Sequence, residues 1–161
     1  MIIVVESFIL CLIFTIMVYS MSKDPIKTLY NYPPKIQERV KNMPEYKDRI
    51  PTNKEKIWVK LLASLVIAFI FSLILRYVNG YTTFLQGFGY GFLLWTIVNV
   101  YDAVVIDILW FCQSKRFIFK GTEDMIKEYH NYWYHIKQSL LGEAIALFVC
   151  LLVGNLIKFV L

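Results

Sequence analysis

Charge is scarce in this sequence. Only 18% of its 161 residues are Asp, Glu, Lys or Arg, against about a quarter in an average soluble domain. By contrast 58% are hydrophobic. A solvated domain of this size cannot hide so much apolar surface, whereas a bilayer core about 30 Å thick can, at about 20 helical residues per crossing. Cysteine is sparse too. Cys11, Cys112 and Cys150 sit in apolar surroundings and none belongs to a C-x-x-C pair. A disulfide framework and a zinc spacing are thereby excluded, and each thiol is expected to behave as a small buried hydrophobe. H-E-x-x-H, G-x-S-x-G and the P-loop are absent, which removes the common hydrolase and nucleotide-binding classes. Gly87-Phe88-Gly89 lies inside an apolar run, so its likeness to a dinucleotide fingerprint is accidental. No cofactor follows from the residues.

What is present is a pattern of four apolar runs. The first spans residues 2–20. It lacks the basic leader and small-residue cleavage site of a signal peptide, so a retained helix is expected, with Glu6 near one interface. The second spans residues 57–78, with Trp58 and Tyr77 as anchors at its ends. Asn79-Gly80 reads as a tight turn. The third, residues 84–112, would be about 43 Å long as one helix, so it must tilt, kink or project from the bilayer. The fourth spans residues 139–161. An all-α, polytopic integral membrane protein follows, as one membrane domain covering residues 1–161.

The connections carry the charge. Nine of the 17 basic residues fall in residues 21–56 and five more in 113–138, whereas the turn after the second span has none. That asymmetry places both long connections in the cytoplasm and both termini outside, in the cell membrane. Five acids interleave with the bases of the first connection, so no basic stripe forms and nucleic acid is excluded as a partner. All five prolines (Pro25, Pro33, Pro34, Pro44, Pro51) also lie there and forbid a long helix. A short amphipathic turn is expected after Pro33-Pro34, with Ile36, Val40 and Met43 on one side. In the second connection Thr122 reads as an N-cap followed by acids. The expected helix carries Ile126, Tyr129, Trp133 and Ile136 on one face, as a short interfacial helix before the fourth span.

Polar groups inside apolar runs are the informative ones, since a charge at a helix centre costs about 2.5–3.5 kcal/mol on the insertion scale. Gly91, Trp95, Asn99 and Asp102 share a face of the third helix. Gly87 and Gly91 form a G-x-x-x-G seam suited to close helix packing, which offers an interface for a homo-oligomer. Asp107 lies about 140° around an α-helix from Asp102 and is expected to pair with Lys115 or Arg116. In the fourth span His135, Ser139 and Glu143 share a face, and Gly142 allows a neighbouring helix to approach. Glu143 needs a partner, with His135, Arg116 and Lys115 at its depth. His130 and His135, five apart, are poorly spaced for one metal ion; with Glu123 they are the only metal candidates.

Asn99, Asp102, Asp107, Arg116, His135 and Glu143 thus form a candidate polar site near the cytoplasmic face. It suits an oligomeric transporter or channel-type protein handling an ion or small solute. A membrane enzyme acting on a lipid or lipid-linked substrate is the alternative, with His135 or Glu143 as base and Lys115 and Arg116 on a phosphate. A non-catalytic assembly partner is the third reading. Membrane lipids are the expected surroundings in every case.

Overall fold

A computed structural model describes residues 2–50 and 53–161, without the side chains of 53–57, 59 and 60; the helix-breaking role expected of Pro51 lies outside the described residues. The chain is all-α, with four helices long and apolar enough to cross a membrane. In order, the helices are α1 (Ile2–Met21), the short α2 (Pro34–Lys41) and α3 (Pro44–Lys47), α4 (Asn53–Leu73), α5 (Phe84–Tyr101), the single turn α6 (Ile126–Tyr129) and α7 (Tyr132–Phe159). A 3-10 segment, Pro25–Asn31, links α1 to α2.

Two long helices change hydrogen-bond register. α4 ends in a π turn over Ile74–Val78, and α5 continues as a ten-residue π segment over Asp102–Phe111. The third span thus runs as one helix over Phe84–Phe111, changing register partway. At the end carrying the tight turn, Gly80 adopts φ +72°, a conformation that glycine enters without steric penalty. Thr83 and Gln86 close a reciprocal cap on α5, satisfying two orphan N–H groups.

The turn end is held by close packing. α5, α7 and α4 meet through Ala68, Phe71, Leu75, Leu94, Val149, Val153 and Ile157. Gly87 and Gly154 set the α5–α7 spacing: a Cβ on Gly87 would lie 2.8 Å from Ile157 Cδ1, and one on Gly154 2.9 Å from the Phe84 carbonyl. Gly91 faces Val153, Cys150 and Leu75. The glycine seam is therefore filled by this chain's own α7, which leaves it unavailable to a second copy. α1 leans on α5, where Thr15 and Tyr101 share a hydroxyl hydrogen bond of 2.7 Å.

The opposite end, where both long connections lie, is a cap built from side chains. Ile26, Leu29, Tyr32, Ile36, Val40 and Tyr46 of the first connection pack on Phe111, Cys112, Phe117, Phe119 and Tyr129. Ile36 and Val40 do fall on one side of α2, as expected, and cover helix ends. Lys35 pairs with Glu128 at 2.6 Å and Arg39 with Asp124 at 2.9 Å, tying the two connections together.

The helix expected from Thr122 to Ile136 is broken. Thr122 does not cap it; its hydroxyl donates to the Phe119 carbonyl and shares a hydrogen bond with the Tyr129 hydroxyl. The chain leaves helical geometry around His130, and Asn131 caps α7 by accepting from the Tyr134 N–H. Tyr129 is consequently turned into the cap while Trp133 and Ile136 remain exposed. Burying the Tyr129 ring against Tyr32 and Phe111 is what overrides the single-face pattern.

Candidate functional site

A cavity of about 290 Å³ lies between the cap and the bundle. α1 lines it with Phe14 and Val18, the first connection with Ser22, Thr28, Asn31 and Tyr32, α5 and its π continuation with Asn99, Asp102, Asp107 and Phe111, and α7 with His135, Gln138, Ser139 and Gly142. A second, apolar groove of about 300 Å³ runs between α1 and α4 over α5. Its walls include Leu10, Ile13, Met17, Ile67, Phe71, Trp95 and Val98, and it too reaches Asn99 and Asp102. These two residues and Phe14 border both spaces.

The π register explains how Asp102 and Asp107 meet. With i→i+5 hydrogen bonding, such as Cys112 N–H to the Asp107 carbonyl at 3.0 Å, residue i+5 comes round beneath residue i. Both carboxylates therefore face one cavity, where the α-helical projection separated them. Asp107 is 3.1 Å from His135 Nδ1, so its expected partners Lys115 and Arg116 are replaced by a histidine from α7. Both bases are exposed, and Arg116 stacks over the Tyr19 ring, 4.5 Å from its centroid, outside the site. In water a surface cation gains little from one carboxylate, whereas the buried imidazole is oriented by this one.

His135 is 2% exposed, and its Nε2 has no hydrogen-bond partner. Phe111 packs against it at 5.0 Å between ring centroids. The other face of the Phe111 environment is Tyr32, 4.9 Å away and 1% exposed, whose hydroxyl is also unpartnered. Burial, followed by the nearby Tyr129, pushes the Tyr32 phenol above its ordinary range, so it keeps its proton. Asp102 makes no hydrogen bond or ion pair with a described residue, yet lies within electrostatic reach of Asp107.

Glu143 stands apart from this group. It accepts from Asn99 Nδ2 at 2.6 Å and Thr96 Oγ1 at 3.0 Å, and it does not line the cavity. Its partners are these α5 groups, since Arg116 and Lys115 sit elsewhere and His135 is engaged by Asp107. Asn99 also donates to the Ser139 carbonyl at 2.9 Å and rests against Gly142, so Gly142 does admit a neighbouring helix. Among the metal candidates, His130 is exposed and stacked on Tyr132, Glu123 accepts from the Gly121 N–H, and neither approaches His135. Among the described residues no three His, Cys, Asp or Glu side chains are placed to share a metal ion.

Of the residues expected from the sequence, Asn99, Asp102, Asp107 and His135 line this cavity and Arg116 and Glu143 do not, while Tyr32, not expected there, does. Comparison with protein families, curated proteins and solved structures finds no match to this chain.

Proposed function

We propose that the protein is a carrier-type membrane protein that handles a cation, with Asp102 as the binding carboxylate and the Asp107–His135 pair as its proton-exchanging neighbour. The observation that supports this most is the hydrogen-bonding inventory of the cavity. Both Asn99 amide hydrogens are engaged, by Ser139 and Glu143. The Ser22 and Thr28 hydroxyls donate to their own backbone at Tyr19 and Pro25. With His135 Nδ1–H donating to Asp107, a neutral ring offers only a lone pair at Nε2. The cavity thus presents two carboxylates among neutral polar groups, with no Lys or Arg in its lining.

That inventory weighs against the enzyme alternative. Phosphoryl transfer needs positive groups on the developing negative charge, and the lining holds no Lys or Arg to supply them, Lys115 and Arg116 being elsewhere. A half-buried carboxylate within an apolar span and without a counter-charge is costly, so Asp102 gains from either a proton or a cation. Competition between the two at one carboxylate is the physical basis of exchange. The basic connections support a cavity mouth at the cytoplasmic face, with both termini outside. Four helices are few for a full pathway, which supports a homo-oligomer as the transporting unit, assembled through surfaces other than the glycine seam.

The test is proton flux in proteoliposomes containing a pH dye, driven in turn by gradients of K⁺, Na⁺ and quaternary ammonium ions. Flux above empty vesicles is expected for at least one ion. Asp102→Asn should abolish it and Glu143→Gln should retain most of it. Absence of flux with every ion, or unchanged flux in Asp102→Asn, would sink the reading.

A further inference from the structure

We infer that the cation is an amphiphilic organic ammonium, whose charged head sits at Asp102 and whose apolar chain lies in the groove between α1 and α4. This rests on the cation-handling reading above and specifies its substrate class. Three independent features of the molecule meet here.

The first is the head site. An alkylammonium is a donor-only cation, with up to three N–H groups and no acceptor. Asp102, His135 Nε2 and the Tyr32 oxygen are the complementary acceptors, and the last two are buried without partners. Leaving such atoms unpaired is costly, a cost that a donor-bearing ligand removes. The second is the ring composition. Phe14, Tyr32, Phe111 and Phe117 all line the same cavity, and aromatic faces attract alkylated ammonium groups that have fewer N–H donors to offer. A bare inorganic cation would instead favour an oxygen cage, which four phenyl-type rings do not provide.

The third feature is the groove. It is walled by Leu10, Ile13, Met17, Ile67, Phe71, Trp95 and Val98, and its polar floor is limited to Asn99 and Asp102. Ile13 and Met17 at its rim are exposed on surfaces that face lipid in a membrane. An inorganic ion has no use for such a groove. A chain entering sideways from the bilayer would bring its head to the one unpaired carboxylate at the groove's inner end. Charge complementarity at that end selects an ammonium chain over a neutral one or a second copy's helix.

Trp95 makes the occupancy measurable, because it is the one tryptophan of four that lines the groove. The purified protein is placed in discs of phosphatidylglycerol, which carries no ammonium. It is then titrated with dodecyl chains brominated near the end, headed by a primary ammonium, hydroxyl or phosphate. Saturable quenching by the ammonium probe is expected, and it should be lost in Trp95→Phe. Asp102→Asn should weaken it at least about tenfold while the alcohol probe is unaffected. Asp102→Glu, which keeps the charge, should restore ammonium quenching and shows that the variants fold. Displacement of the probe by phosphatidylethanolamine in the disc would place the ammonium on a membrane lipid. Displacement by free dodecylamine but not by that lipid would place it on a free amphiphile.

Equal or tighter binding of the alcohol or phosphate probe would overturn the inference while leaving cation exchange intact. So would exchange driven by K⁺ or Na⁺ with no ammonium quenching. Ammonium binding at Asp102 with no proton flux in vesicles would instead leave the ligand class standing and remove the carrier reading. Insensitivity of the ammonium probe to both Asp102→Asn and Trp95→Phe, with self-association of the protein shielding the groove, would assign the groove to a second copy.

Discussion

The two ends of this bundle are built on opposite principles. At the turn end, α5 and α7 approach until backbone touches side chain at Gly87 and Gly154, and aliphatic residues fill what remains. At the connection end, aromatic rings and paired charges hold the chain together around a cavity. Close packing leaves no room for a ligand between α5 and α7, whereas a side-chain cap anchored by a few large rings leaves space and unpaired polar atoms beneath it. The turn end is organised as scaffold, and the connection end carries the polar cavity.

Phe111 is the sharpest way to break that contrast. Its ring touches Tyr32, Phe117, Tyr129 and His135, joining the cap to both sides of the cavity. Phe111→Ala should cost about 3–5 kcal/mol, read as lowered thermal stability in detergent. Proteolysis should then begin in the two connections while α4, α5 and α7 stay intact. Cleavage spread evenly along the chain would show that the cap is not a separate layer.

Gly154→Val tests the other end and should have a smaller effect, about 1–3 kcal/mol from overpacking, because the added side chain meets the Phe84 ring and carbonyl. Gly89→Ala is the matched control: nothing lies within 4 Å of its missing Cβ, so thermal stability should hardly change. Equal losses in both variants would show that close approach at Gly154 is not what holds the turn end.

How much of this was legible follows the same division. The four spans could be read directly, because a bilayer imposes length and apolarity on every crossing. Asp102 stood out for the same reason, as an acid in an apolar run. The pairing of Asp107 with His135 did not, since it depends on a π register that no residue pattern announces and that rotates Asp107 onto the face of Asp102. Tyr32 was readable only in hindsight of spacing: residues 26, 29, 32, 36 and 40 form one apolar stripe, and all five are buried. The prolines at 33 and 34 hide that stripe by suggesting an irregular connector, although they interrupt the helix without turning the face. In the second connection, the apparent face from Ile126 to Ile136 failed because Tyr129 gains more from the cap's rings than from an interface.

The smallest effect concerns the boundary between the two ends, where Glu143 accepts from Asn99 and Thr96 in the span itself. If this contact is a clamp between α5 and α7, Asn99→Ala and Glu143→Ala should each destabilise the protein. A double-mutant cycle should then return a coupling of about 0.6 kcal/mol, and no more than about 1.7, as for other hydrogen bonds between membrane helices. The short 2.6 Å distance and the carboxylate acceptor favour the upper part of that range. Asn99 keeps its second bond, to the Ser139 carbonyl, when Glu143 is removed, which limits the loss. A coupling indistinguishable from zero would mean that Glu143 is not held by α5. It would then be free to join Asp102 as a second exchanging acid, and the polar site would extend a full turn deeper toward the packed end.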